Sequence, residues 1–196
     1  IGSAMQLANV GMFSTYAGDL TAGQTDLELA LNQLQAQHRQ YDPELTRIIS
    51  ALGINAFLQE NFEVAENYFR RSQHIHHRQD GLFTSGQTAN LNWLTRTYLS
   101  TERYEEADTA QRHVLQIAQR RLVNDSPQLD EVKRGVAIYL GRRGSTISPL
   151  ADEMARANRQ RLFSEALTLI QEVITSIEQR LGKDVMELIP VLKTKA

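Results

Sequence analysis

The amino-acid sequence predicts an all-α fold, a solenoid of helical hairpins. Three observations lead to this prediction. A pattern of large and small residues recurs every 42 positions along the 196-residue chain, and a fixed period of this size is typical of repeat proteins. Apolar residues within each repeat lie three or four positions apart, as they do on one face of a helix. No segment alternates apolar and polar residues in the manner of a half-buried strand.

The first helix of each repeat is marked by a large residue followed by a small one. Four such pairs follow one another at intervals of 42 residues: Val10-Gly11, Leu52-Gly53, Leu94-Thr95 and Val136-Ala137. The positions three residues before each pair are Leu7, Ile49, Leu91 and Lys133. The pattern predicts an apolar side chain at all four positions. Lys133 is the one exception, because its side chain is charged.

The second helix of each repeat is marked by a large residue and, three positions later, a small one. The first three copies keep the period, with Leu20, Phe62 and Tyr104 followed by Gly23, Ala65 and Ala107. In the fourth copy the equivalents are Phe163 and Ala166, which lie 59 positions after Tyr104 and Ala107. An insertion of 17 residues, Ser145 to Arg161, therefore separates the two helices of the fourth repeat.

Glycine and proline indicate where these helices end and begin. Gly18 and Gly144 can adopt the left-handed conformation that ends many helices. Asp42-Pro43 and Ser126-Pro127 place proline at the first position of a helix. Small residues also predict a close approach of the paired helices, at Gly11, Gly53, Ala65, Ala107 and Ala166.

The second and third repeats resemble the tetratricopeptide repeat. The resemblance rests on Leu52-Gly53, on Phe62-Glu63-Val64-Ala65 with Phe69, on Leu91-Asn92-Trp93-Leu94 with Tyr98, and on Tyr104-Glu105-Glu106-Ala107. The 42-residue period is similar to that of the kinesin-light-chain subtype, which is also widespread in bacteria, and we expect a bacterial protein. The resemblance covers nearly the whole chain. It implies a right-handed α–α superhelix whose first helices line a concave groove.

The period divides the chain into units that we expect to form a single array over residues 1–196. The units cover about residues 4–45, 46–87, 88–129 and 130–188, the last with the insertion at 145–161. A partial fifth unit would cover residues 189–196, where Ile189, Val191 and Leu192 give a half-helix an apolar side. We expect this half-repeat to continue into further repeats or to form a contact between two copies of the chain.

The groove is the predicted binding site, as the resemblance implies. Its lining changes along the chain from apolar and aromatic side chains to asparagine and arginine: Tyr16, Ile54, Phe57, Asn92, Trp93, Arg96, Arg134, Ile138 and Arg142. Asparagine and arginine hydrogen-bond the backbone and the carboxylates of an extended peptide. The expected partner is therefore a protein or peptide, with an acidic or C-terminal segment fitting best. The alternative is that these arginines only solvate a helix surface.

The insertion is predicted to be helical. Ser148-Pro149 suits a cap and a first helical position, and no glycine or proline follows before Leu162, so the second helix of the fourth repeat would be one long helix. One face would carry Leu150, Met154 and Ala157, and another Arg156, Arg159 and Arg161. Insertions in repeat arrays often lie at the binding surface. The segment thus either makes partner-specific contacts or is an insertion without such contacts that the fold accepts at little cost in stability.

Composition and motifs argue against other function classes. The net charge of −2 lacks the excess of positive charge that is typical of nucleic-acid-binding proteins. The absence of cysteine excludes disulfides and thiolate chemistry. No apolar run approaches the roughly 18 residues that span a bilayer. The chain has no glycine-rich phosphate loop and no Gly-x-Ser-x-Gly motif, so we expect neither enzymatic activity nor a cofactor. The composition leaves the cytoplasm and the periplasm both open.

The densest group of potential metal ligands is His74, His76 and His77. His74 and His77 can share one face of a helix, but a metal also needs further ligands and an outer shell of hydrogen bonds. We therefore expect a solvated histidine run and no metal site.

Two functions fit these observations. The first is a protein- or peptide-binding scaffold that uses the concave groove. The second is a structural spacer or self-association segment within a larger regulatory or enzymatic protein.

Overall fold

A computed structural model describes residues 2–36, 43–80 and 85–181 of the chain. The described residues form eight helices and no strand: α1 (Gly2–Ala17), α2 (Leu20–Ala36), α3 (Pro43–Leu58), α4 (Phe62–Asp80), α5 (Ser85–Ser100), α6 (Tyr104–Arg121), α7 (Pro127–Thr146) and α8 (Glu153–Leu181). Helices that follow one another pack as pairs, α1 with α2, α3 with α4 and α7 with α8. The predicted all-α fold of helical hairpins is confirmed.

The chain divides into two compact units, an N-terminal unit of residues 1–110 and a C-terminal unit of residues 111–196. Each unit has its own hydrophobic core. The N-terminal core contains Leu27, Ala30, Leu34, Leu45, Ile48, Ile49 and Leu52. The C-terminal core contains Val136, Leu140, Leu162, Leu169, Ile170, Val173 and Ile177. The predicted division into repeats at residues 46, 88 and 130 stays a prediction, and the predicted half-repeat at 189–196 lies outside the described residues.

The turns that follow α1, α3 and α5 share one backbone arrangement. Gly18, Glu60 and Glu102, which are 42 residues apart, have φ angles of 92°, 60° and 58°. The amide of each bonds the carbonyl three positions earlier, and the next amide along the chain bonds the carbonyl five positions before its own. These paired bonds satisfy carbonyls that the helix end leaves open. The predicted helix end at Gly18 is confirmed, and glutamate takes the same position in the next two repeats.

The starts of α3 and α7 are also as predicted, at Pro43 and Pro127. Ser126 caps α7, because its hydroxyl accepts a hydrogen bond from the amide of Leu129 at 3.3 Å.

Glycines let the paired helices approach closely, as predicted. A Cβ atom added to Gly11 would lie 2.8 Å from Cγ of Leu27, and one added to Gly53 would lie 2.6 Å from the ring of Phe69. Both distances are well inside van der Waals contact, so a larger residue at either position would force the two helices apart.

Two predictions about the fourth repeat are wrong. Gly144 does not end a helix, because α7 continues to Thr146. Gly144 instead faces Phe163 of α8, whose ring atoms would lie 3.2 Å from an added Cβ. This glycine therefore serves helix packing and not helix termination.

Ser148 and Pro149 do not begin α8 either; they lie in a turn, and α8 begins at Glu153. The helix starts later because Asp152 supplies the cap, its Oδ1 accepting a hydrogen bond from the amide of Ala155 at 2.8 Å. Residues 145–146 of the insertion complete α7, residues 147–152 connect the helices, and residues 153–161 open α8, which is 29 residues long. The predicted long second helix is thus confirmed with a later start.

Candidate functional site

The nine predicted groove residues fall in both units. Six lie on α1, α3 and α5 of the N-terminal unit: Tyr16, Ile54, Phe57, Asn92, Trp93 and Arg96. Three lie on α7 of the C-terminal unit: Arg134, Ile138 and Arg142. They form two candidate surfaces, one in each unit, and a continuous groove from Tyr16 to Arg142 stays a prediction.

Phe57, Trp93 and Arg96 form one cluster in the N-terminal unit. The rings of Phe57 and Trp93 meet edge to face with centroids 5.3 Å apart, and Trp93 stacks on Phe69 at 6.0 Å. The guanidinium of Arg96 lies 4.6 Å from the centroid of the Trp93 ring, a cation–π contact. Phe57 and Trp93 are half-buried while Arg96 is exposed. The cluster therefore joins the core on one side and presents a positive charge on the other.

A shallow depression lies between α1 and α3 in the same unit. It is lined by Met12, Thr15, Tyr16, Ala51 and Ile54. Tyr16 is 70% exposed, a large fraction for an aromatic side chain, whereas Ile54 is half-buried. The depression is too shallow to enclose a side chain, so it offers apolar contact mainly through the exposed ring of Tyr16.

Asn92 extends the cluster along α5. It is exposed and lies four residues, or about one turn, before Arg96, so the two side chains share a helix face. The structure thus brings Trp93 and Arg96 of α5 together with Phe57 of α3, and Asn92 lies one helical turn from Arg96.

A polar contact that the sequence did not indicate links α4 to the end of α5. Glu66 accepts hydrogen bonds from Nε of Arg70 at 2.7 Å, from Nη1 of Arg103 at 2.5 Å and from the hydroxyl of Tyr98 at 3.2 Å. Burial raises the pKa of Glu66, but the hydrogen bonds and charges of Arg70 and Arg103 outweigh it and hold that pKa below its ordinary 4.5. Burial also raises the pKa of Tyr98. Glu66 is therefore ionised and committed to holding the hairpins together.

A second polar cluster joins α3, α4 and α5. Nδ2 of Asn90 donates to Oγ of Ser72 at 2.8 Å, and Oδ1 of Asn90 accepts from Oγ of Ser50 at 2.8 Å. Ser72 and Asn90 are 0% and 1% exposed. Because these groups satisfy one another inside the protein, they position α5 and do not face a partner. Their sequence separation explains why no local pattern revealed them.

The α7 surface of the C-terminal unit is less suited to an acidic partner than predicted. Arg134 forms an ion pair with Glu131 one turn earlier, which compensates its charge. Ile138 is half-buried and Arg142 is exposed. Lys133, the charged residue at an apolar position of the repeat, is 9% exposed and places Nζ 2.9 Å from Oε2 of Glu172. That ion pair explains how the fold accepts lysine there.

The histidine run is only partly solvated, which corrects its prediction. His74 is exposed, but His76 and His77 are half-buried, and Nε2 of His77 lies 3.2 Å from Oε1 of Gln87. Within the described residues, no three histidine, cysteine, aspartate or glutamate side chains are grouped as metal ligands would be. None of the described helices combines the length and apolar composition needed to cross a bilayer.

Comparison with known proteins agrees with this architecture. Residues 91–128 match the model of the tetratricopeptide repeat family. Among solved structures, BtubC (BKLC) from P. vanneervenii is similar with a TM-score of 0.68 and 17% identity, over 91% of this chain and 65% of that one. A putative kinesin light chain from P. anserina with nearly identical TPR-like repeats has a TM-score of 0.58 and 12% identity, over 90% of this chain and 96% of that one. No curated protein sequence is similar enough to count as a relative.

These matches show the fold. Residues 91–128 are similar to a tetratricopeptide repeat, and the chain has the fold of the tetratricopeptide-like repeats found in kinesin light chains. It spans 65% of the length of the BtubC chain. Proteins with such repeats are commonly scaffolds for protein–protein interaction and are generally not enzymes.

Proposed function

We propose that the chain is a protein-binding scaffold, and that its N-terminal unit binds an extended acidic segment of a partner across α1, α3 and α5. The observation that carries this proposal is Arg96, which stacks on Trp93 and makes no ion pair among the described residues. Arg70, Arg103, Arg112 and Arg180, by contrast, all bind carboxylates of the chain itself. An exposed guanidinium held in place by an aromatic ring is ready for a bidentate bond to a carboxylate.

The apolar neighbours of Arg96 give the surface a second kind of contact. Phe57 and Trp93 supply half-buried aromatic edges, and the exposed ring of Tyr16 beside the shallow depression adds apolar surface. A segment that combines apolar side chains with carboxylates would use both. The partner chemistry is therefore an acidic peptide segment, and a free C-terminal carboxylate would serve as well as a side chain.

Trp93 provides a direct test because it is the only tryptophan of the chain and it lies within the proposed site. Synthetic peptides with apolar and acidic residues, prepared with a free or an amidated C-terminus, should change its fluorescence on titration, and charge-inverted basic peptides should not. Arg96→Glu should weaken binding at least tenfold, or about 1.4 kcal/mol. Arg71→Glu, at an exposed position of α4, is the matched control and should bind as the unmodified chain does.

Equal binding of acidic and basic peptides, or full binding by Arg96→Glu, would refute the acidic specificity. If no peptide alters Trp93 fluorescence, the spacer hypothesis takes the place of the binding scaffold, because a spacer needs length and no recognition surface.

A further inference from the structure

The outward face of α1 is exposed at positions that are buried in the next two repeats. Four of its exposed residues have equivalents in α3 and α5 at intervals of 42 residues: Ser3, Gln6, Val10 and Phe13. These equivalents are all at most 3% exposed: Leu45, Ile48, Leu52 and Asn55 in α3, and Gln87, Asn90, Leu94 and Thr97 in α5. In α3 and α5 this face packs on the preceding hairpin. The same face of α1 is therefore a surface on which another helix can pack.

The exposed residues of this face follow the spacing of a seam between two helices. They lie three and four positions apart in alternation, at Ser3, Gln6, Val10, Phe13 and Ala17, which is the spacing at which paired helices interlock. The centre of the seam is apolar, with Val10 53% and Phe13 76% exposed. Of the described helices, α1 is also the one that contains no Asp, Glu, Lys or Arg. Uncharged apolar surface is typical of the centre of a protein–protein contact.

The polar groups of the neighbouring repeat argue against an ordinary repeat as the occupant of this face. In α3, Nδ2 of Asn55 donates to the carbonyl of Leu20 at 2.9 Å, and this bond ties α3 to the start of the preceding second helix. Phe13 has the equivalent position in α1 and cannot donate such a bond. A hairpin that packed on α1 as α2 packs on α3 would lose that bond and place the ring against a polar carbonyl. Phe13 instead requires apolar surface opposite it.

We propose that this face binds the same face of a second copy of the chain, with the two α1 helices antiparallel. A two-fold axis midway between residues 10 and 13 would place each Phe13 against Val10 of the second copy. The same symmetry places Gln6 beside Ala17 of the second copy. Both apolar side chains are then removed from water, which is favourable. The two helices meet without repulsion between like charges, because neither carries a charged residue.

The contact is small, since one helix of each copy contributes to it. Its area is below the roughly 800 Å² per partner of stable complexes, so we expect a dissociation constant on the order of 100 μM. The chain is then a monomer at low micromolar concentrations and a dimer at millimolar ones. The inference is independent of the proposed peptide site, which uses neither Val10 nor Phe13.

Sedimentation equilibrium of the full chain tests the dimer. Over concentrations on either side of the expected dissociation constant, the apparent mass should rise from that of one chain toward that of two. Phe13→Glu should weaken the dimer at least tenfold, because it places two carboxylates near the axis in apolar surroundings. Val123→Glu is the matched control. Val123 is 79% exposed and lies between α6 and α7, so this variant should dimerise as the unmodified chain does.

Engineered cysteines test the direction of the pairing, since the chain contains no cysteine of its own. In the proposed dimer residue 6 faces residue 17 of the second copy, whereas the two copies of residue 6 are about 16 Å apart along the helices. A disulfide needs Cα atoms within about 7 Å of each other. Mild oxidation of an equimolar mixture of Gln6→Cys and Ala17→Cys should therefore link the two variants to each other, and neither variant should link to itself.

The substituted positions 6, 13, 17 and 123 are all exposed, so far-UV circular dichroism should be the same for every variant. The proposal is overturned by a chain that stays monomeric at millimolar concentration, or by a dimer that Phe13→Glu leaves intact or that Val123→Glu weakens equally. Cross-linking of Gln6→Cys to itself, in place of Ala17→Cys, would overturn the antiparallel pairing.

Discussion

The fold keeps one left-handed backbone conformation at Gly18, Glu60 and Glu102, although the residue type changes. The left-handed conformation costs an L-residue about 1–2 kcal/mol relative to glycine. Glu60 and Glu102 are exposed, and their side chains have no hydrogen-bond or ion-pair partner among the described residues. Glutamate therefore gains nothing at these positions that offsets the backbone strain. The turn persists because its two backbone bonds satisfy the end of the preceding helix.

Replacing these glutamates with glycine should stabilise the chain. Glu60→Gly relieves the left-handed strain but adds the backbone entropy of glycine to the unfolded state, so the net gain should be about 0.5–1 kcal/mol. Urea unfolding followed by circular dichroism measures it. The reverse change, Gly18→Ala at φ 92°, should lower the free energy of unfolding by about 1 kcal/mol. A loss of stability in Glu60→Gly would contradict the assignment of strain.

Helix α1 differs from α3 and α5 at positions that the 42-residue period makes equivalent. Leu52 and Leu94 are 2% and 3% exposed, yet Val10 is 53% exposed. Asn55 is 1% exposed and donates to Oγ1 of Thr15 at 2.9 Å, whereas its equivalent in α1, Phe13, is 76% exposed. In α3 these positions contact the preceding hairpin. The described residues supply no such neighbour for α1, so its equivalent face is open.

Truncation should therefore have very different costs at equivalent positions. Leu52→Ala removes buried methyl groups and leaves a cavity, which should cost about 2–5 kcal/mol of unfolding free energy. Val10→Ala removes atoms that are already largely hydrated and should change it by no more than about 0.5 kcal/mol. Denaturant unfolding of both variants under the same conditions gives the comparison. Equal costs would mean that the exposed face of α1 is covered in solution.

The contact of Glu66 with Arg70, Arg103 and Tyr98 should make the packing of α4 on α5 sensitive to acid. Because the pKa of Glu66 is lower in the folded chain than its ordinary 4.5, its stabilisation is complete above that pH and is lost as the pH falls through the folded value. Glu66→Gln should cost about 1–3 kcal/mol at neutral pH. The difference should shrink as the pH falls from 4.5 through the lowered pKa of Glu66, because the unmodified carboxylate then also becomes protonated. Glu63→Gln, at an exposed position of the same helix, should have little effect at either pH.

At the scale of the whole molecule, the features that sequence could predict are those that local spacing determines. The 42-residue pattern predicted the helices, the helix end at Gly18 and the long α8, because helix periodicity and capping depend on residues a few positions apart. It did not predict the pairing of Lys133 with Glu172 or of Glu66 with Arg103, because these partners lie outside the helix of the residue that they bind. The start of α8 was missed because Ser148 and Asp152 are both good caps and only tertiary structure selects between them. Of the predicted site, the grouping of Phe57, Trp93 and Arg96 followed from the repeat, but the compensation of Arg134 by Glu131 did not.

The two compact units lead to a prediction about unfolding. Leu140 is fully buried in the C-terminal core, and Trp93 lies in the N-terminal unit. The stability of a repeat array is approximately a sum of local and nearest-neighbour terms. Leu140→Ala should therefore destabilise the C-terminal unit by about 2–5 kcal/mol and shift the urea transition seen by circular dichroism more than the transition seen by Trp93 fluorescence. Leu34→Ala, in the N-terminal core, should shift the fluorescence transition directly. If Leu140→Ala moves both transitions equally, the chain unfolds as one cooperative structure and the prediction is wrong.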